Sequence, residues 1–401
     1  MADEISREEI FVEIKNAREK RKAPNLSRKL LRNINLRGEN LLGVNLQGAI
    51  LEDCNLEGVN LQGANLRDAR LQDVNLQGAE LQGSDLRGTN LQGGKLINAN
   101  LLGCNLQKAN LQGVNLQETN LEGVDFQKAI LKDLFLQRAN LKKANFEGQD
   151  LRNLDLSTSL LQGVNFNGVN LAGVSLAGFD LSNATLQGAN LENSNLDSAN
   201  LQGVDFSKGG TFLGSKPTRF IGANLIGANL TGAKLPAADL HQTRLIGANL
   251  NQADLQEANL QGVDLQGASL QAAQLQNANL QEATLEQVNL QQANLQLVVL
   301  REARLQGANL QQANLQQCDF SEADLQGANL AGTNLQKANF QAANLHGCNL
   351  LGADLLGADL KSANLKEADL RGTSLKGAVY DSQTQWPEGF DAFLVQGLER
   401  V

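Results

Sequence analysis

Side chains suited to acid–base, nucleophilic or metal chemistry are few in this chain. It has two histidines, His241 and His346, and four cysteines. A Ser–His–Asp arrangement needs a histidine base, and a structural zinc site needs about four His or Cys ligands close together. The four cysteines are widely spaced and form no C-x-x-C pair, so a disulfide framework is not indicated. They are Cys54, Cys104, Cys318 and Cys348.

The overall charge and the distribution of apolar residues argue against two classes of protein. The 401 residues include 34 basic and 43 acidic side chains, a net charge of -9, which argues against a broad nucleic-acid-binding surface. No apolar run approaches the roughly 20 residues needed to span a bilayer, and the first residues are charged where a signal peptide is apolar. We therefore expect a cytoplasmic protein with no membrane span and no direct nucleic-acid binding.

A strict five-residue period dominates the chain. From Leu36 to Phe206 every fifth residue is Leu or Phe, giving 31 Leu and 4 Phe in 35 positions. The period resumes at Phe220 and continues to Leu375 with 29 Leu and 3 Phe in 32 positions. The residue two before each central Leu is usually Ala or Val, the one before it is Asn or Asp, and Gln and Gly commonly follow. A typical unit is A-N-L-Q-G.

A period of five fits neither an α-helix nor a flat strand. Five residues turn about 500° on a helix, so successive leucines would move around the axis. On a strand, an odd spacing would place them on opposite faces. The chain must therefore bend once per unit, with the Leu and the small residue inside a coil and Gly at the corners.

Runs such as TNLEGVDF and GADLLGADLKSANL resemble the pentapeptide-repeat proteins, whose consensus is A(D/N)Lxx. The resemblance covers about residues 34–380, and AVYDSQTQWPEGFDAF is similar to the C-terminal segment of many cyanobacterial members. It implies an all-β fold, a right-handed quadrilateral β-helix with four units and 20 residues per coil. Residues 20 apart would then stack, so the central Phe residues of each array fall on one inner face.

That coil geometry removes the candidates for chemistry. All four cysteines occupy the inward small-residue position and are predicted to be buried hydrophobes. The two histidines point outward on different faces, without the neighbours of a catalytic base or a metal ligand. A narrow, filled core leaves no cavity for an active site. We expect no enzyme activity, no cofactor and no metal.

Oversized residues occupy the small inward position in one stretch of the first array. Leu134 and Leu154 stack there, with Gln149 beside them. Residues 134–180 are therefore predicted to form a widened or bent part of the coil, either as a functional kink or as a tolerated packing variant.

One outer face of the second array is almost free of charge. An amide-rich, uncharged surface offers many hydrogen-bond donors and acceptors without long-range repulsion, so this face is the candidate for protein docking or self-association. The alternative is that Gln is simply the habitual residue of that position. The candidate contact residues are Gln271, Asn289, Gln291, Gln292, Asn309, Gln311 and Gln312.

The interruption between the arrays is a second candidate, since loops leaving a rigid solenoid are common recognition sites. Its predicted contact residues are Phe212, Lys216 and Arg219, and a passive join is the alternative. The predicted domain organisation is an N-terminal helical cap and lead-in (1–30), a first array (31–206), a loop (207–219), a second array (220–380) and a C-terminal cap (381–401).

Both ends are predicted to be capped, because an exposed terminal coil invites end-to-end stacking. Ser6 and Glu9 form a capping box for an N-terminal helix. At the other end a cluster of apolar side chains is expected to cover the last coil. The cluster is Tyr380, Trp386, Pro387, Phe390, Phe393 and Leu394.

Two functions agree with these features. The first is a non-enzymatic scaffold whose flat faces bind a protein partner of unknown identity, with a homodimer as one form. The second is implied by the resemblance: some members protect DNA gyrase by resembling the DNA duplex. That mimicry requires a dense acidic surface, whereas acidic and basic residues are interspersed here.

Overall fold

The computed structural model describes residues 5–207 and 218–401. Its regular elements are helix α1 (Arg7–Glu19), strand β1 (Val379–Tyr380), a 3-10 helix (Ala392–Leu394) and strand β2 (Glu399–Arg400). Between α1 and β1, nearly every described repeat consists of one β-bridge residue and a two-residue turn.

Parallel bridges between residues 20 apart build the coil. Asn45 bridges Asn65, for example, and the Leu46 N–H donates to the Asn65 carbonyl at 2.7 Å. The Gly48 N–H donates to the Arg67 carbonyl at 2.9 Å. Each coil therefore contains four five-residue sides, as the resemblance implies, and the backbone groups of one coil are satisfied by the next.

The central Leu and the small residue two before it fill the inside of the coil. Leu290 and Ala293 are at most 1% exposed. A polar residue in the small position is hydrogen-bonded to the preceding coil: the Ser84 hydroxyl donates to the Leu61 carbonyl at 2.7 Å. The bend at every unit thus lets an odd period bury both positions.

The predicted stacking of central aromatic residues is confirmed. The rings of Phe126 and Phe146 stack with centroids 4.7 Å apart, and those of Phe320 and Phe340 with centroids 4.9 Å apart. Offset ring stacking adds to the apolar burial of each side chain.

The corner residue two after nearly every central Leu in the described chain adopts the left-handed conformation, whether or not it is glycine. Gly48 has a φ of 64° and Leu297 a φ of 61°. Glycine has no Cβ and accepts this conformation freely, whereas other residues are strained there by about 1–2 kcal/mol.

Helix α1 begins as predicted. The Ser6 hydroxyl accepts the Glu9 N–H at 3.2 Å and the Glu9 carboxylate accepts the Ser6 N–H at 2.8 Å, which is the capping box. Ile10 and Ile14 of this helix are buried, while Val12 is 57% exposed.

The coil begins earlier than the predicted array start at residue 31. Asn25 already bridges Asn45, and Leu26 is fully buried. The segment assigned to the lead-in therefore contributes repeats whose weaker consensus concealed them.

The interruption changes the chain length between coils but not their pairing. Asn190 bridges Arg219 and Asn195 bridges Asn224, a separation of 29 residues instead of 20. Nine extra residues are therefore inserted at one corner. The Thr218 side chain restores the inner position, because its hydroxyl donates to the Phe206 carbonyl at 2.8 Å.

The stretch with oversized inner residues loses regular coil bonds. Among the described residues, no hydrogen bond joins the Leu131 N–H to the Asp150 carbonyl and no bridge joins Ile130 to Asp150, whereas Phe135 still bridges Asp155. The Gln149 amide instead donates to the Ala129 carbonyl at 3.2 Å. The coil is thus opened locally between Ile130 and Asp150.

Two compact units divide the chain, one of Met1–Leu171 with Asn183–Thr185 and one of Ala172–Ser182 with Leu186–Val401. The predicted loop at 207–219 falls within the range of the second unit. Searching the described residues for a helix long and apolar enough to cross a bilayer finds none.

At the C-terminal end, part of the expected apolar cluster faces solvent. Tyr380 is 6% exposed, but Phe393 and Leu394 are 77% and 83% exposed. The expectation that these last two residues cover the coil is wrong, because Asp391 caps a short 3-10 helix that carries them outward.

Candidate protein-interaction face

The outer face formed after Leu270, Leu290 and Leu310 is built by a local turn in the last two of these repeats. The Asn289 side-chain oxygen accepts the Gln291 N–H at 3.2 Å, and the Asn309 side-chain oxygen accepts the Gln311 N–H at 3.2 Å. Asn favours such turns because its side chain can replace a backbone acceptor two residues away. The Asn before Leu290 and before Leu310 therefore holds the backbone of the Gln that follows, whereas the Gln271 N–H donates to the Asn251 side-chain oxygen of the preceding coil at 2.8 Å.

The same asparagines also join neighbouring coils. The Asn309 amide donates to the Asn289 oxygen at 3.3 Å, and the Asn329 amide donates to the Asn309 oxygen at 3.3 Å. Both oxygens thus accept two hydrogen bonds each within the coil. Asn289 and Asn309, predicted as contact residues, are half-buried and mainly serve the ladder.

The glutamines leave more hydrogen-bonding capacity. No described residue hydrogen-bonds to the side-chain amides of Gln271, Gln291 or Gln311. They stack at successive coils, at about 4.8 Å spacing. Gln292 and Gln312 pair with each other, N to O, at 3.1 Å. The five glutamines with Asn289 and Asn309 are called the glutamine face below.

The side of the coil that carries the glutamine face has no charged residues over several coils. On this side the outward positions from residue 249 to residue 352 contain no Asp, Glu, Lys or Arg. The opposite side, ten residues away in the coil, carries an ion-paired cluster in which Arg301 lies 3.1 Å from both Glu302 and Glu322. The two sides therefore differ in electrostatics although their backbones are alike.

Of the three predicted loop contacts, Phe212 and Lys216 lie outside the described residues. The structure places Arg219 in the coil rather than in the loop, because it bridges both Asn190 and Asp239. Its guanidinium group forms an ion pair with Glu192.

The cysteines occupy the predicted inner position. Each thiol donates to the backbone carbonyl of a central Leu in the preceding coil, as Cys318 does to Leu295 at 2.8 Å. Burial raises the pKa of Cys54 to about 11 and the pKa of each of the other three to about 12. The thiolate needed for nucleophilic or metal chemistry is therefore disfavoured at neutral pH.

The histidines are separate, as expected. The His241 ring nitrogen Nδ1 lies 2.6 Å from Asp239 on its own repeat, and His346 Nε2 lies 3.7 Å from Glu367. Within the described ranges, no group of three or more His, Cys, Asp or Glu side chains is placed to hold a metal ion.

Models of the pentapeptide repeats match residues 25–208 and 278–377, and a model of a pentapeptide repeat region matches residues 218–295. The chain belongs to the pentapeptide-repeat family. The four-sided, 20-residue coil agrees with the β-helix that this family is known for.

Several solved pentapeptide-repeat proteins are similar to the chain. HetL from Nostoc sp. strain PCC 7120, involved in heterocyst differentiation regulation, is 34% identical over 54% of this chain and 87% of its own, with a TM-score of 0.23. The protein alr5209 from Nostoc PCC 7120 is 38% identical over 27% of this chain and 84% of its own, with a TM-score of 0.16. QnrB1, a plasmid-mediated fluoroquinolone resistance protein, is 17% identical over 59% of this chain and 92% of its own, with a TM-score of 0.22. No curated protein matches the chain.

Two surface features of this pentapeptide-repeat protein were missed from the sequence. Ile130 and Phe135, at positions usually held by Asn or Asp, are 52% and 46% exposed. Their departure from the consensus was the available signal. The other feature is a cleft beside Trp386 near the C-terminal end, and no local sequence pattern indicates it because residues 20 apart form its sides.

Proposed function

We propose that this protein is a non-enzymatic scaffold that binds a protein partner through the glutamine face. The observation that supports the proposal most is the stack of Gln271, Gln291 and Gln311, whose side-chain amides make no hydrogen bond to a described residue. They supply donors and acceptors at regular spacing on a surface without charge repulsion.

The coil beneath the face favours binding because it is held in place before a partner arrives. Each Asn of the ladder is bonded both to its own turn and to the neighbouring coil. A surface that is already ordered loses little conformational entropy on association. The remaining cost is the ordering of the Gln side chains themselves.

Helix α1 is proposed to act as the cap of the first coils. The Ile5 N–H donates to the Leu30 carbonyl at 3.3 Å, and the Arg18 guanidinium donates to the Asn40 carbonyl at 2.5 Å. Arg7 also pairs with Glu39 at 3.4 Å. These contacts support a helix that shields exposed coil backbone and discourages end-to-end stacking.

The test is a triple substitution, Gln271→Glu, Gln291→Glu and Gln311→Glu, compared with wild type in affinity purification followed by binding measurements on the purified partner. Three stacked charges should weaken partner binding at least about tenfold while leaving the circular dichroism spectrum unchanged. The matched control places Glu at the same repeat position on the opposite side, at Gln261, Gln281 and Gln341. Equal binding by both triple variants would refute the glutamine face as the docking surface.

The gyrase alternative remains a prediction from the family resemblance. Its requirement, a dense acidic surface, contrasts with the ion pairs that basic residues make here, such as Arg37 with Glu57 at 3.0 Å. The gyrase alternative is tested by a supercoiling assay with gyrase and a quinolone. Protection of gyrase by this protein would favour mimicry over scaffolding, and no protection would exclude it. The cytoplasmic location and the homodimer also remain predictions.

A further inference from the structure

The C-terminal segment forms an open cleft of about 450 Å³. Strand β2 folds back to pair with β1 in parallel, with Val379 opposite Glu399 and Tyr380 opposite Arg400. The chain between the two strands forms the rest of the wall. A volume of this size suits a ligand of two to four residues, since ligand clefts are commonly about 300–1,000 Å³.

The wall of the cleft is aromatic. Trp386 packs edge-on to Tyr380 with ring centroids 5.5 Å apart and stacks on Phe390 with centroids 4.8 Å apart. Phe393 also lines the cleft and is mostly exposed to solvent. An exposed aromatic surface inside a concave site favours an apolar group of a ligand.

Two donors at the cleft lack an acceptor. The Trp386 indole nitrogen Nε1 is shielded from solvent and has no hydrogen-bond partner in the described chain. The Arg400 guanidinium lines the same cleft, 6.0 Å from the centre of the Phe393 ring, and makes no ion pair with a described residue.

The two carboxylates of the cleft are already engaged. Asp381 accepts the Ser362 N–H and hydroxyl, each at 2.9 Å, and the Ser362 N–H contributes most to holding the Asp381 pKa at about 2. Asp391 accepts the Phe393 N–H at 3.0 Å as the cap of the 3-10 helix. The described lining therefore offers a ligand the Arg400 guanidinium, which is the only cation among its residues, and the Ser382 hydroxyl. Arg400 is the group that would hold a ligand carboxylate.

We propose that this cleft binds the C-terminal end of a partner polypeptide whose last residue is apolar. Its terminal carboxylate would pair with Arg400, and its last side chain would pack against Phe390 and Phe393. The close approach of Arg400 to the Phe393 ring favours a chain end, because a terminal residue carries its carboxylate and its apolar side chain on one Cα. This site goes beyond the proposed function and does not use the glutamine face.

The probe is a library of random heptapeptides displayed with a free C-terminus, selected on the full-length protein. Trp386 is the only tryptophan in the chain, so its fluorescence reports occupancy of the cleft directly. We expect selection of peptides ending in Leu, Ile, Val or Phe, and a saturable change in emission when a selected peptide is titrated. Amidation of that peptide should weaken binding at least about tenfold, because it removes the charge that pairs with Arg400.

Arg400→Gln should weaken the selected peptide at least about tenfold, and Phe393→Ser by a smaller factor. Both side chains are exposed, so neither change is expected to unfold the protein. Arg301→Gln is the matched control and should bind as wild type, as should the triple Glu variant of the glutamine face. Failure to select any peptide, equal binding of the amide, or full binding by Arg400→Gln would overturn the proposal. Selection of internal acidic motifs, with no preference for the last residue, would overturn the assignment to a chain end.

Discussion

Residues 270–314 and residues 126–157 use the same repeat but are held together differently. In the first stretch the Leu290 N–H donates to the Asn309 carbonyl at 2.7 Å, and the Asn294 N–H donates to the Ala273 carbonyl at 2.9 Å. In the second stretch, the corresponding bonds of Leu131 and Asp150 are missing among the described residues.

The size of the inner residue two before the central Leu explains the difference. Where this residue is Ala, as at Ala273 and Ala293, neighbouring coils approach closely enough for their backbones to pair. Where it is Gln149, the longer side chain enters the coil and donates to the Phe126 carbonyl at 2.7 Å and to the Ala129 carbonyl at 3.2 Å. The central leucines thus define the core, while the smaller inner residue decides whether the coils close.

The largest effect is expected in the regular stretch. Leu290→Asp buries an unpaired carboxylate in a filled interior and should cost more than about 4 kcal/mol, observed as a lower urea midpoint or as loss of the second array. Leu131→Asp should cost less, because the opened coil admits water to the new charge. Equal losses would mean that both stretches are packed alike, and an unchanged midpoint for Leu290→Asp would refute its inward position.

Introducing the irregularity into the regular stretch should have the next largest effect. Ala293→Gln places an oversized side chain between Ala273 and Ala313 and should cost about 1–3 kcal/mol by overpacking. Hydrogen exchange at the Asn294 and Asn314 amides should accelerate as their bonds open. The reverse change, Gln149→Ala, is the control and should slow exchange at Asp150. Unaltered exchange in both variants would show that the size of this residue does not determine whether neighbouring coils pair.

Restoring the consensus at an exposed apolar position should have a smaller, favourable effect. Phe135→Asn should stabilise the first unit by about 0.5–1 kcal/mol, because the new amide can donate to Asn115 as Asn140 does to Asn120 at 3.0 Å. Val299→Asn, at the same repeat position in the regular stretch, is the matched comparison. A loss above about 1 kcal/mol for Phe135→Asn would show that this ring contributes to packing.

The smallest comparison concerns a corner of the regular stretch. Leu297→Gly should raise the free energy of unfolding by about 1 kcal/mol or less, because it removes left-handed backbone strain at an exposed residue. The gain would be observed as a higher urea midpoint. Leu297→Ala removes the same apolar surface but keeps the strain, so the difference between the two variants isolates the backbone effect. Identical midpoints would indicate that the corner is not strained.

Features that depend on neighbours in sequence could be predicted. The inward Leu, the cysteines in the small position and the capping box of Ser6 and Glu9 all follow from short patterns. The stacking of Phe126 on Phe146 required only the coil length that the family resemblance implies. The charge-free outer side of the second array was also visible, because each of its residues can be assigned to a side by counting.

The choice of hydrogen-bond partners between neighbouring coils could not be predicted. Counting does not show that the Asn289 and Asn309 amides are used by the ladder, while those of Gln291 and Gln311 are not. It does not show that the Gln149 side chain replaces a backbone donor, or that Arg219 has rejoined the coil. The cleft at Trp386 depends on the pairing of β2 with β1. A strand of two residues has no sequence pattern from which this pairing could be predicted.

The 29-residue register between Asn190 and Arg219 has a consequence for engineering and for evolution. Coil pairing there keeps its usual pattern, with the Leu191 N–H donating to the Arg219 carbonyl at 2.8 Å, although nine residues have been added at a corner. The register between neighbouring coils is therefore set by hydrogen bonds between their corresponding sides, and not by the number of residues between them. Corners of such a coil are natural grafting points, where a foreign peptide or a whole module can be spliced in while the underlying architecture keeps its phase.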